Sequence, residues 1–258
     1  MSIALPLRAS CRCTGALILR EMSTTYGRSP GGYLWAILEP VGAVALMSVA
    51  FSMAFRAPSL GISFPLFYAT GVLPYLLFQD ISGKLSQALR FSKPLMAYPV
   101  ITIADALIAR LVLNALTQGV IFTLVLAGCL MLFDTRALPD PWTLAAAFAL
   151  CTVLGAGIGT LNCHLMTAYA AWARLWPIAT RPLFLISGIF FVLEDVPDPY
   201  RGWLWWNPLI HVTGLIRRGI YPGYEAAHVS PLYVLAVAVG TALVGLALLR
   251  RDADWLTA

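Results

Sequence analysis

Residues 26–55 read YGRSPGGYLWAILEPVGAVALMSVAFSMAF. The stretch opens on a basic approach broken by glycine and proline: Arg28, Ser29, Pro30, Gly31 and Gly32. It continues as an apolar run from Tyr33 to Phe55 with one ionisable residue, Glu39, near its start. At ~1.5 Å of rise per residue, a helix of this length crosses the ~30 Å hydrocarbon core of a bilayer. The run predicts that the chain enters a membrane here. Its direction of crossing then fixes the topology of everything downstream.

The rest of the composition agrees. Of 258 residues, 60% are hydrophobic and 11% charged. Soluble domains carry about 25% charged residues. With a mean hydropathy of +0.80, the chain reads as an all-α, polytopic membrane protein. No polar block is long enough for a second, soluble domain, so residues 1–258 form one transmembrane unit. The net charge of +5 does not point to nucleic acid. Lysines and arginines sit at the ends of apolar runs, where they orient spans. Cys129, Cys151 and Cys163 fall inside apolar runs and act as small hydrophobes. Cys11 and Cys13 form a lone C-x-C with no second pair, so no metal site is expected. Arg8, Arg12 and Arg20 interrupt the first residues, which lack the apolar core of a cleaved signal.

Leu17, Ile18, Met22 and Tyr26 recur near helical spacing between Thr14 and Tyr26. This pattern predicts a helix lying in the membrane interface, within a cytoplasmic amphipathic segment at 1–30. Six candidate spans follow, near Tyr33–Phe55, Phe64–Gly83, Ile103–Phe133, Trp142–Met166, Trp176–Leu193 and Pro231–Leu249. The connections on one side hold Arg8, Arg12, Arg20, Arg28, Lys84, Arg90, Lys93, Arg110, Arg174, Arg181, Arg250 and Arg251. The other side holds only Arg56, Arg136, Arg201, Arg217 and Arg218. The excess of basic residues places both termini in the cytoplasm.

Two connections are more than loops. Lys84–Pro99 reads KLSQALRFSKPLMAYP: basic, partly helical in pattern and closed by prolines. It is either a short cytoplasmic helix on which another protein pushes or a plain positive loop that sets topology. Residues 194–230 hold Trp203, Trp205, Trp206, Tyr221 and Tyr224 around the apolar run Pro208–Ile216. Such aromatics prefer the membrane–water interface. The segment is expected to dip into the outer leaflet as one or two short re-entrant helices and to border a pathway.

No catalytic constellation is present. There is no Gly-x-x-x-x-Gly-Lys-Ser/Thr loop, so the chain is not expected to bind ATP by that route. No Ser/His/Asp set is identifiable, and His164, His211 and His228 lack metal spacing. Gly155, Gly157 and Gly159 read as helix-packing positions. The polar residues of the third span, Arg110, Asn114, Thr117 and Gln118, share one helical face. That face either lines a hydrophilic passage or forms a polar seam between helices. Glu39 either pairs with Arg28, Arg174 or Arg181 or is solvated at the interface. Asp80 and Lys84 form a local pair, and Asp105 and Arg110 are candidate partners. Arg217 and Arg218, among aromatics, suit either an acidic glycan or lipid phosphates.

Four stretches in this order resemble the permease of ABC-2 type exporters, in the capsular polysaccharide branch. They are YGRSPGGYLWAILEP at 26–40, FYATGVLPYLLFQD at 67–80, SGIFF at 187–191 and WWNPLIHVTGLIRRGIYPGY at 205–224. The resemblance implies a homodimer in the bacterial inner membrane, each protomer with an interface helix, six transmembrane helices and re-entrant helices before the last. It implies a separate ATP-binding cassette subunit that carries ATP and Mg and docks on Lys84, Arg90 and Lys93, so that this chain holds no cofactor and is not an enzyme. It implies a lipid-linked glycan moved outward, with a periplasmic polysaccharide co-polymerase and an outer-membrane exporter beyond. Tyr26 and Arg28 are then expected to guide the lipid head group, and Glu39, Arg110, Asn114 and Gln118 to line the route inward of the outer aromatics. Alternatives are another ABC-2 cargo (O-antigen, teichoic acid, lipid or drug) or a stand-alone channel.

Overall fold

A computed structural model describes residues 7–25, 32–96 and 102–252. Within them the chain is helical throughout: α1 (Leu7–Thr25), α2 (Gly32–Ala54), α3 (Phe64–Ser86), α4 (Ala88–Met96), α5 (Ile103–Leu132), α6 (Pro141–Ala168) and α7 (Ala170–Ile186). A 3-10 turn at Leu193–Asp195, α8 (Tyr200–Trp205), α9 (Pro208–Arg218) and α10 (Pro231–Arg251) complete it. Three of the helices begin with one device, a capping side chain followed by proline. Asp140 accepts the amides of Trp142 and Thr143, Asn207 that of Leu209, and Ser230 that of Tyr233. Each satisfies an orphan donor of the first turn, where proline has no N–H to lose.

Among the described residues, four helices are long and apolar enough to cross a membrane: Leu34–Ala54, α5, α6 and α10. Six spans were expected. The difference lies in α3 and α7. Helix α3 carries Gln79, Asp80 and Lys84, and most of its side chains are buried by neighbouring helices. Helix α7 has 17 residues and two internal prolines, Pro177 and Pro182. The fifth predicted span ran to Leu193, but the helix starts earlier and stops at Ile186. Gly188, at φ +75°, turns the chain out of helix. The next residues cross α3 so closely that a Cβ on Gly71 would lie 2.8 Å from Ile189 Cα.

Helix α3 is the hub, packed on α2, α5, α6 and α9. Helices α6 and α10 meet almost backbone to backbone. A Cβ on Gly157 would lie 2.1 Å from the Ala238 carbonyl oxygen, and one on Gly245 would lie 2.6 Å from the Leu161 nitrogen. The C-terminal ends of the two helices are tied by His164 Nε2 and Asp252 Oδ2, 2.8 Å apart. Hydrogen bonds from Arg251 and then His164 hold the Asp252 carboxyl at about 2. The interhelix contact gives a prediction. Gly157→Ala should force α6 from α10 and cost about 1–3 kcal/mol, the range for overpacking. Gly240→Ala, with nothing within 4 Å of its Cβ, should be neutral or stabilising by about 0.5–1 kcal/mol, since alanine is the better helix former. Thermal unfolding in detergent compares the two.

Candidate substrate pathway and docking segment

The segment between α7 and α10 is built around buried polar groups. Asn207 donates to the Ile186 carbonyl and to Ser187 Oγ, 2.9 and 3.2 Å away, tying the start of α9 to the end of α7. Arg217 is 2% exposed. Its Nη1 donates to the Phe191 carbonyl at 2.7 Å, Nη2 to the Ile189 carbonyl at 3.4 Å, and Nε to Thr70 Oγ1 at 3.3 Å. The guanidinium lies 4.3 Å from the Phe67 ring centroid. It thus clamps residues 189–191 onto α3. Arg218, its neighbour in sequence, is exposed. The two arginines expected to act together face different surroundings.

His211 Nε2 donates to the Trp205 carbonyl at 2.8 Å while Nδ1 accepts the Ser230 amide at 3.2 Å. One carbonyl and one N–H as partners fix a neutral imidazole protonated on Nε2. Trp205 and Tyr233 pack on its ring at 5.0 and 5.3 Å. Glu194 accepts from the Tyr224 hydroxyl at 2.9 Å and pairs with His228 Nδ1 at 2.8 Å. Partial burial pushes the Glu194 carboxyl upward, but the bonds from His228 and Tyr224 prevail and hold it below the usual range. Trp203 and Trp206 remain exposed, and Tyr221 is buried.

Deeper in the bundle, two clefts flank α3. One, of about 240 Å³, gathers Glu39, Gln79, Asp80 and Gln118 from α2, α3 and α5. The other, of about 340 Å³, lies between α3, α4 and α7 and is lined by Tyr75, Gln79, Arg90, Trp176 and Arg181 among others. Gln79 borders both and donates to the Tyr75 hydroxyl at 2.8 Å. Glu39 is exposed and forms no ion pair with Arg174 or Arg181. The polar face of α5 divides. Gln118 reaches a cleft, Asn114 is buried and bonds the Arg110 carbonyl in its own helix at 2.7 Å, and Arg110 turns inward to Glu21 on α1. Asp105 forms a capping box with Thr102 at the start of α5, while Arg110 is ion-paired within the chain to Glu21. Tyr26 and Arg28 lie outside the described residues.

The segment after α3 is helical. Leu89 and Ser92 of α4 face inward, while Arg90 is exposed and its Nη2 donates to the Met166 carbonyl at the end of α6. Lys84 belongs to the last turn of α3 and pairs with Asp80 at 3.1 Å. The Lys93 side chain lies outside the described residues.

The sequence profile of the ABC-2 type transporter family matches residues 12–221, from within α1 to just beyond α9. The chain belongs to the ABC-2 type transporter family. Among its relatives is the polysialic acid transport protein KpsM of Escherichia coli, 32% identical over 243 residues and covered over 94% of both chains. CtrC of Neisseria meningitidis, a capsule polysaccharide export inner-membrane protein, is 25% identical over 93% of this chain and 91% of its own. BexB of Haemophilus influenzae, of the same description, is 22% identical over 93% and 91%. Sequence reasoning missed Tyr75, Gln79 and Trp176 as pathway candidates in this ABC-2 chain. A signal existed for two of them: Tyr75 and Gln79 are polar, four residues apart on one face of an apolar run, where burial of polar groups is costly.

Proposed function

We propose that this chain is the permease of an ATP-driven exporter that carries lipid-linked capsular polysaccharide outward across the inner membrane. The observation that carries the reading is similarity along nearly the whole chain to a polysialic acid transport protein, KpsM, at 32% identity, and to two capsule polysaccharide export proteins, CtrC and BexB. Two copies form the working unit, with the glycan passing between them. The exposed apolar face of α2 (Leu34, Leu38, Leu46, Val49 and Met53) and that of α7 (Leu175, Ile178 and Leu185) supply surface for the partner copy and for lipid. In the dimer, α3 and α7 complete six passes, with both termini in the cytoplasm.

Energy comes from a separate ATP-binding cassette subunit docked on α4. Its closure displaces α4, the motion reaches α2 and α7, and the route between protomers opens. Gln79, Gln118 and Tyr75 offer hydrogen bonds to sugar hydroxyls along the inner half. The exposed Trp203 and Trp206 give sugar rings an apolar face to slide on at the outer end. A periplasmic co-polymerase and an outer-membrane exporter receive the chain.

The test is expression of the protein with its ATP-binding partner in a strain lacking its own capsule permease. Surface capsule should return, and the partner should co-purify with the permease. Export without the ATPase, or restoration of a different surface polymer instead, would overturn the assignment.

A further inference from the structure

One guanidinium joins four helices on the side of the bundle that carries α4. Arg110, on α5, is 7% exposed. Its Nε lies 3.1 Å from Glu21 Oε1 on α1. Its Nη1 donates to the Lys84 carbonyl in the last turn of α3. Its Cζ sits 4.3 Å from the centroid of the Phe91 ring on α4, and Arg20 of α1 approaches the same ring at 5.3 Å. Below it, the Thr102–Asp105 capping box fixes the first turn of α5.

Stability alone does not call for this arrangement. Burying two charges is costly, and a well-packed apolar pair of similar volume is often as stable or more so. What the ion pair adds is a directional link. Glu21 gives α1 an ionic contact with the bundle, and the group that it holds also grips α4 through Phe91. The anchored end is α3, a largely buried helix, through the Lys84 carbonyl.

We propose that Arg110 and Glu21 form the joint through which α4 moves the interface helix α1, with Glu21 a positioning residue in energy transfer. This rests on the reading of α4 as the docking segment. A push on α4 shifts the Phe91 ring that both guanidiniums approach. Arg110 and Arg20 follow the ring, and α1 is carried with them.

The experiment uses the full exporter with its ATP-binding partner in proteoliposomes or cells. Glu21→Gln, Phe91→Leu and the apolar double variant Glu21→Met/Arg110→Met are compared for membrane level, thermal stability and glycan exported per ATP hydrolysed. That ratio should fall roughly two- to thirtyfold in each, the size expected of residues on a coupling route. It should fall in the apolar double variant even where thermal stability equals that of the wild type. The reversed pair Glu21→Arg/Arg110→Glu should recover part of the loss. A stable apolar double variant with wild-type export per ATP would overturn the proposal. Should that variant not fold, wild-type coupling in both Glu21→Gln and Phe91→Leu would overturn it equally. If the wild-type assembly itself exports nothing, the permease reading fails instead, which the same assay reveals separately.

Discussion

Arg217→Met should cost about 3–5 kcal/mol of stability, the range for breaking a buried charged hydrogen-bond network. The side chain is fully enclosed, and its three donor nitrogens are spent on the Phe191 and Ile189 carbonyls and on Thr70. Methionine fills much of the volume but leaves these acceptors unsatisfied, and the contact with the Phe67 face is lost as well. Arg217→Lys should fall between, because an ammonium cannot reach three acceptors in a planar fork. Arg218→Gln, one residue away and exposed, should change stability by less than about 0.5 kcal/mol. Thermal unfolding in detergent separates these outcomes. Equal effects at 217 and 218 would contradict the clamp that holds residues 189–191 on α3.

Arg90→Glu should abolish most export while leaving the protein in the membrane. Arg90 stands out from α4, its guanidinium steadied by the Met166 carbonyl at the end of α6. On the proposed reading of α4 as the docking segment, the partner surface that receives this arginine is electrostatically matched to it, and placing like charges against each other costs several kcal/mol. Export should fall roughly tenfold or more on that basis. Co-purification of the ATP-binding subunit should weaken in parallel and worsen with further acidic substitution on α4. The bundle core lies elsewhere, so thermal stability should hold within about 1 kcal/mol, as for other exposed positions. Capsule export at wild-type level would remove Arg90 from the docking surface.

Much of the helical layout is legible without a structure. The apolar run after Gly32, the Asp-Pro, Asn-Pro and Ser-Pro starts of three helices, and the basic helix after α3 all carry local signals. The glycines of the fourth span also read correctly as packing positions, because small residues permit close helix approach. What is not legible is pairing between distant residues. Glu21 looks like an ordinary polar position on an interface helix, and its partner lies 89 residues away. Adjacent Arg217 and Arg218 look equivalent in sequence, yet successive helical residues point about 100° apart. One is sealed beneath residues 189–191 and the other is not. The polar face of α5 is real as a pattern, but its members divide between an ion pair, a self-bonded amide and a cleft. Periodicity gives the face without saying which neighbour covers each turn.

Where Gly157 meets Ala238 and Gly245 meets Leu161, two helices rest main chain against main chain with no side-chain cushion between them. A seam of that kind has nothing to shear and behaves as a spar. Strokes of the transport machine must therefore be taken up by the elements hung on long, adaptable side chains. The α6–α10 pair then serves as the frame against which those elements are levered.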